Sequence, residues 1–317
     1  MSVIRFLILI SVLFGFPGTA QSESPDTPEK SFKPLPVIVS IMPQAYFVER
    51  IGGRRVLVEV LVLPGENPAT YKPSPIQMLS IVKSDIFFRI GVPFEETLLP
   101  KIKTIAKNLQ IVDTREGIKL RRLEVRLDHQ DDHAKMDSGR ADQDEGEHTH
   151  THGLEGNDPH IWLSPRLVKK QAETIRRTLV RVDPEGEEEY TANFKGFIRD
   201  IEILESKIAA TLAPFQGQSI YVFHPSFGYF ADEYGLNQVA VEIEGKSPKG
   251  KDLAQFIKRA KREKARIVFV QPQFDQSAAG KIAQAINGTV ISIDPLAGDY
   301  LNNLEEMSNR ISRALER

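Results

Sequence analysis

Apolar positions along this chain recur with two alternating periods. Short β-branched runs at Val37–Ile41, Val56–Val62, Ile86–Ile90 and Gln110–Val112 predict strands. Helical spacing fills the gaps, near Pro43–Ile51, Ser74–Val82 and Glu95–Asn108. Ser74 is placed to cap the second of these, with Pro75 at its first turn. The alternation returns after residue 214, with strands at Ser219–Phe223, Gln238–Ile243, Arg266–Val270 and Thr289–Ile293. Helical patterns follow each, at Pro225–Tyr234, Lys251–Lys264, Ser277–Ile286 and Leu301–Leu315. Strand–helix alternation of this kind builds parallel sheets covered on both faces. The expected fold is therefore α/β, with two lobes that each hold a four-stranded, mainly parallel sheet flanked by helices.

Between the two series lies a longer pattern. Pro165–Val180 reads as a helix, and Asp183-Pro184-Glu185 combines an N-cap residue, a proline for the first position and an early carboxylate. Behind it Tyr190, Phe194, Phe197, Ile201, Leu204 and Ile208 form one apolar stripe. At ~1.5 Å per residue such a helix reaches roughly 40 Å, more than one small domain needs. Residues 183–213 are thus expected to be a rigid helix joining an N-terminal lobe at 36–182 to a C-terminal lobe at 214–317. The stretch from about 126 to 157 shows no hydrophobic period and is expected to be a disordered loop within the first lobe when metal-free.

The chain begins with Arg5, an apolar run from Phe6 to Phe16 and the small residues Gly18-Thr19-Ala20, the pattern of a cleavable secretory signal over 1–20. Residues 21–35 are rich in Pro, Ser and Glu and read as a disordered leader. No comparable apolar run follows, so an exported, soluble mature protein is expected. Cysteine is absent from the sequence, which excludes disulfides, thiolate ligands and a lipid anchor through an N-terminal cysteine. No direct membrane anchor is therefore expected, and any metal site must use nitrogen and oxygen. The formal charge of −2 gives no reason to expect nucleic acid as a partner.

The histidines change the picture. All seven lie between positions 129 and 224. His129, His133, His148, His150 and His152 fall in the hydrophilic stretch, where ten carboxylates from Asp128 to Asp158 face only Lys135 and Arg140. His-rich tracts are compositional metal signals, and alternate histidines at 148, 150 and 152 can chelate one ion. A solvated, disordered insertion is the plain alternative. His224 follows a predicted strand directly, and so does Asp294; ligands of open parallel sheets bind beyond such carboxyl ends. His160 sits in Asp158-Pro159-His160-Ile161-Trp162, ahead of a helix start. Each alone is more often a structural or capping residue. Together, two imidazoles and one carboxylate suit a zinc ion and leave a fourth position to fill.

With these residues in view, the chain resembles the periplasmic zinc-binding component of bacterial zinc ABC importers, within the zinc- and manganese-type solute-binding proteins. The resemblance runs from Pro36 to the C-terminus. It is carried by Val39-Ser40-Ile41-Met42-Pro43-Gln44, Leu63-Pro64-Gly65, Tyr71-Lys72-Pro73-Ser74-Pro75, Asp158-Pro159-His160-Ile161-Trp162-Leu163, His224-Pro225-Ser226-Phe227-Gly228-Tyr229-Phe230, Glu242-Ile243-Glu244-Gly245, Val270-Gln271-Pro272-Gln273 and Asp294-Pro295-Leu296. It implies a periplasmic monomer with one metal in a cleft between lobes, delivered to a membrane permease. It also implies that His160, His224 and Asp294 are ligands, and that His224 favours Zn²⁺ over Mn²⁺. The family's remaining histidine falls at Ala69, which cannot bind metal. Glu66 of the same loop, a histidine of the insertion, or water are the candidates to replace it.

The residues leave two other readings open. A metal-dependent hydrolase would also use two His, one Asp and a bound water, although no nucleophile-elbow, zincin or phosphate-loop motif is present. A zinc buffer or chaperone would bind through the His-rich loop.

Overall fold

The structure is a computed structural model that describes residues 32–123, 156–242 and 250–316. The segments read as signal and insertion, with His129, His133, His148, His150 and His152, lie outside the described residues. The first sheet orders its strands β2-β1-β3-β4, from β1 (Leu35–Val39), β2 (Val56–Val60), β3 (Ile86–Arg89) and β4 (Gln110–Asp113). The second repeats that pattern as β6-β5-β7-β8, from β5 (Ser219–Val222), β6 (Asn237–Ala240), β7 (Ile267–Val270) and β8 (Thr289–Ser292). Every pairing between these strands is parallel. The expected fold class therefore holds.

Helices α1 (Met42–Gly52), α2 (Pro75–Lys83) and α3 (Pro93–Ile105) connect the strands of the first sheet. In the second, α6 (Gly228–Tyr234), α7 (Gly250–Arg262) and α8 (Gln276–Ala285) do the same. Buried runs such as Ile86-Phe87-Phe88 explain why these strands lack polar alternation: helices cover both faces. Ser74 caps α2 as expected, in a reciprocal capping box with Gln77. β1 begins at Leu35, the last position read as leader, and ends before Ser40 because the Ser40 N–H turns to Gln44 Oε1. Glu95, read as a helix start, lies inside α3; Pro93 supplies the first turn instead.

α4 (Pro165–Val182) leads through a short 3-10 turn at Pro184–Gly186 into α5 (Glu187–Leu212). With 26 residues α5 is about 39 Å long at ~1.5 Å per residue. Its stripe of Tyr190, Phe197, Ile201, Leu204, Ile208 and Leu212 is buried. It packs along α4, along α1, and along the C-terminal helix α9 (Tyr300–Leu315). Phe47 of α1 meets both Phe197 of α5, at 5.8 Å between ring centroids, and Tyr300 of α9, at 4.8 Å. Asp183 is not the cap its sequence position suggested. Its carboxylate makes no cap bond and instead accepts from Arg55 at 2.7 and 2.8 Å and from the Tyr190 hydroxyl at 2.6 Å. A guanidinium is a stronger donor to a carboxylate than a backbone N–H, so the ion pair wins. Among the described residues, no helix is long and apolar enough to cross a membrane.

Candidate metal centre

The carboxyl ends of the strands in both sheets converge on one cavity of about 310 Å³. Asn67, Pro68 and Ala69 reach it from the loop after β2, Gly91 from the end of β3, and Arg115 from the end of β4. His224, Gln271 and Pro295 reach it from the ends of β5, β7 and β8. This is where open parallel sheets place ligands, since side chains beyond the last strand residue are free of the ladder.

His160 and His224 meet there, with their Nε2 atoms 3.4 Å apart. Each ring is fixed from behind. His160 Nδ1 lies 2.7 Å from Asp158 Oδ1, which also accepts the His160 backbone N–H at 2.9 Å. His224 Nδ1 is bonded to Glu242 Oε2. Both carboxylates are buried, 1% exposed at Asp158 and 2% at Glu242. A carboxylate accepts a hydrogen bond from Nδ1–H, and a neutral imidazole so oriented carries its lone pair on Nε2. Burial also pushes the His224 pKa below its usual value, against the opposing pull of the Glu242 bond. Two lone pairs thus face one another at close range, an arrangement that a cation between them relieves. Zinc–nitrogen bonds of ~2.0–2.1 Å at a tetrahedral angle put two ligand nitrogens about 3.3–3.4 Å apart. The observed separation matches.

The surroundings hold this geometry. Phe274 stacks on the His224 ring at 4.5 Å and 19°. Gln271 donates to the His224 carbonyl at 3.0 Å and to Ser226 Oγ at 2.8 Å, clamping the turn that carries the ring. Tyr229 donates its hydroxyl to the Asp158 carbonyl at 3.0 Å. Trp162 packs its ring 5.1 Å from that of His160.

Asp294 is not gathered with the two imidazoles. Among the described residues, no group of three or more His, Cys, Asp or Glu side chains is arranged to hold a metal. Asp294 Oδ1 accepts from Gln273 Nε2 at 2.9 Å and from the Leu296 N–H at 3.0 Å, while its neighbours Pro295 and Leu296 line the cavity. Glu66 is turned elsewhere: Oε2 accepts the Leu63 N–H at 2.8 Å, and the side chain borders a separate surface depression with Met42 and Ile76. Neither Asp158 nor Glu242 stands out in the sequence as a partner of a histidine. The only available signal was their position, Asp158 two residues before His160 and Glu242 in the segment after β6.

Two parallel-sheet units with a histidine pocket at their strand ends define the class of two-lobe solute-binding proteins. The family model for the periplasmic zinc-uptake complex component A, ZnuA, matches residues 37–314. The chain belongs to that family. It is 28% identical over 301 residues to the high-affinity zinc uptake system protein ZnuA of Yersinia pestis, covering 88% of this chain and 91% of that one. It is 27% identical over 278 residues to ZnuA of Bacillus subtilis, covering 86% and 80%. Among solved structures, a ZnuA crystal structure superimposes with a TM-score of 0.76 at 34% identity, covering 89% of this chain and all, 100%, of that one. A zinc-bound deletion mutant of ZnuA gives a TM-score of 0.76 at 35% identity, covering 89% and 98%.

Proposed function

We propose that this protein is a periplasmic receptor that binds Zn²⁺ in a cleft between lobes 36–182 and 214–317 and delivers it to the membrane permease of an ABC importer. The 183–213 segment links the lobes, and residues 1–20 direct export. The observation that carries the reading is the 3.4 Å separation of the two Nε2 atoms, each backed by a buried carboxylate. A carboxylate behind the ring is how proteins orient an imidazole toward zinc. Asp294 joins as a third ligand, its carboxylate exchanging the Gln273 bond for the metal. Membership in a zinc-uptake family supports the transport role, and the names of the relatives describe uptake and not catalysis.

The histidines of the insertion act as auxiliary donors, not as the site itself. Zinc titration of the apo protein with residues 127–155 deleted, followed by calorimetry and metal counting, tests this. One tight equivalent should survive the deletion and disappear when His224→Ala is added. Loss of all tight binding with the insertion would instead make the protein a loop-dependent zinc buffer. Zinc-dependent ester or phosphoester turnover that His224→Ala abolishes would make it a hydrolase.

A further inference from the structure

The cavity in front of the histidine pair is out of scale with a bare ion. At about 310 Å³ it reaches the size at which pockets begin to hold small organic ligands, ~300–1,000 Å³. A four-coordinate zinc, with donors at ~2 Å, needs only the space between its donor atoms. The loop after β2 lines this cavity with Asn67, Pro68 and Ala69, which offer neither imidazole nor carboxylate. Among the described residues, no third ligating side chain is grouped with His160 and His224. The protein therefore presents donors on one side and open room beside them.

A second observation comes from the charge on the cavity wall. Arg115 and Glu96 both line it. The Arg115 guanidinium is held rigidly, donating to Asp113 through Nε at 2.9 Å and Nη2 at 2.8 Å. Its Nη1 lies over Gly91, where an added Cβ would stand 1.9 Å away. Only a glycine, here at φ +88°, leaves room for that approach. Asp113 takes Nε and Nη2, and a guanidinium with a further nitrogen to offer is the side chain best suited to receive a carboxylate. A fixed guanidinium on the wall of a metal cavity fits a metal that arrives carrying a carboxylate.

We infer that the cavity takes zinc as a complex with a small chelating amino acid, the metal held by His160 and His224 and the chelator's carboxylate held by Arg115. The inference rests on the zinc reading of the histidine pair. Asp294 takes the third position, a donor atom of the chelator fills the fourth, and Glu96 adds a negative charge beside the chelator's amine. The chelator occupies the volume in front of Ala69.

L-Histidine is the probe, since it brings an imidazole, an amine and a carboxylate. The full chain is used with the five insertion histidines changed to serine, so that they cannot supply the missing donor. Equilibrium dialysis against zinc and radiolabelled L-histidine should retain one histidine per zinc per chain, and no histidine without zinc. Arg115→Gln should lower histidine retention about tenfold or more, the loss of one charge-assisted pair. Ala69→His should bind zinc and exclude histidine, because its own imidazole fills the space. Zinc retained one-to-one while histidine stays outside, or zinc stripped by histidine, would overturn the inference and leave the histidine pair as the metal site. Equal retention of zinc and histidine by His224→Ala would overturn the histidine-pair reading itself.

Discussion

Trp162 donates its indole N–H to the Pro295 carbonyl at 2.8 Å, which joins the turn carrying His160 to the turn carrying Asp294. Tyr300 closes the link by donating its hydroxyl to the Trp162 carbonyl at 2.8 Å. Trp162 is 1% exposed, so its N–H has no water to fall back on. Trp162→Phe keeps most of the ring but leaves the Pro295 carbonyl short of a donor. It should cost about 1–3 kcal/mol in urea unfolding of the apo protein. It should also speed zinc release in stopped-flow chelation. Unchanged stability and release would mean that the two turns are held together by packing alone.

The carboxylates behind the histidines make a separate prediction. Asp158→Asn and Glu242→Gln retain shape but weaken the acceptor that fixes each Nδ1–H. Zinc affinity should fall about 10–100-fold in each, the usual cost of losing such a partner. Circular dichroism should stay that of the parent. An affinity within twofold of the parent would show that the rings need no orientation from behind.

Zinc binding should depend on pH in a definite direction. Burial lowers the His224 pKa, so this ring remains a neutral ligand to lower pH than a free imidazole. Affinity should hold steady as pH falls toward the usual imidazole range, then drop once the ring protonates below it. Calorimetry in buffers of different ionisation heat would count the displaced protons. A full proton released from His224 at neutral pH would contradict the lowered value.

Asp183 links the start of the long helix to the first sheet's side through Arg55, and that bond holds its carboxyl below the usual carboxylate range. A group whose pKa is depressed in the folded state stabilises above its unfolded pKa, and the gain is lost as pH falls through the folded value. Asp183→Asn should cost about 1–3 kcal/mol at pH 7, as for other charge-assisted bonds. The difference from the parent should shrink steadily below ~pH 4, the ordinary range of an unfolded aspartate. Parallel pH–stability curves would exclude the pair as the cause.

Phe197 offers a test of the packing. It is fully buried and touches both Tyr46 and Phe47 across the helix interface. Phe197→Ala should cost ~3–5 kcal/mol in denaturant unfolding, the range for emptying a buried aromatic site. A cost below ~1 kcal/mol would mean that the interface collapses to fill the gap.

The amino-acid sequence determined the elements, the parallel character of the sheets, the places of His224 and Asp294 past strand ends, and that of His160 ahead of a helix start. These follow from local rules: hydrophobic period, capping residues, and prolines that stop strands at His224-Pro225 and Asp294-Pro295. The stripe from Tyr190 to Ile208 was likewise legible, because one helix face repeats regardless of what packs on it. Tertiary structure alone decided which long-range partners those residues found. Asp183 could cap its helix or pair with Arg55, and only the fold brings a residue 128 positions away within reach. In the same way Asp158 and Glu242 became the backs of two imidazoles. Asp294 was left bonded to Gln273, and Ala69 was set against a cavity instead of a ligand. Spacing along the chain encodes turns and faces, but the 64 positions that separate His224 from His160 carry no signal that their Nε2 atoms meet at 3.4 Å. That distance is fixed by sheets, turns and carboxylates acting together.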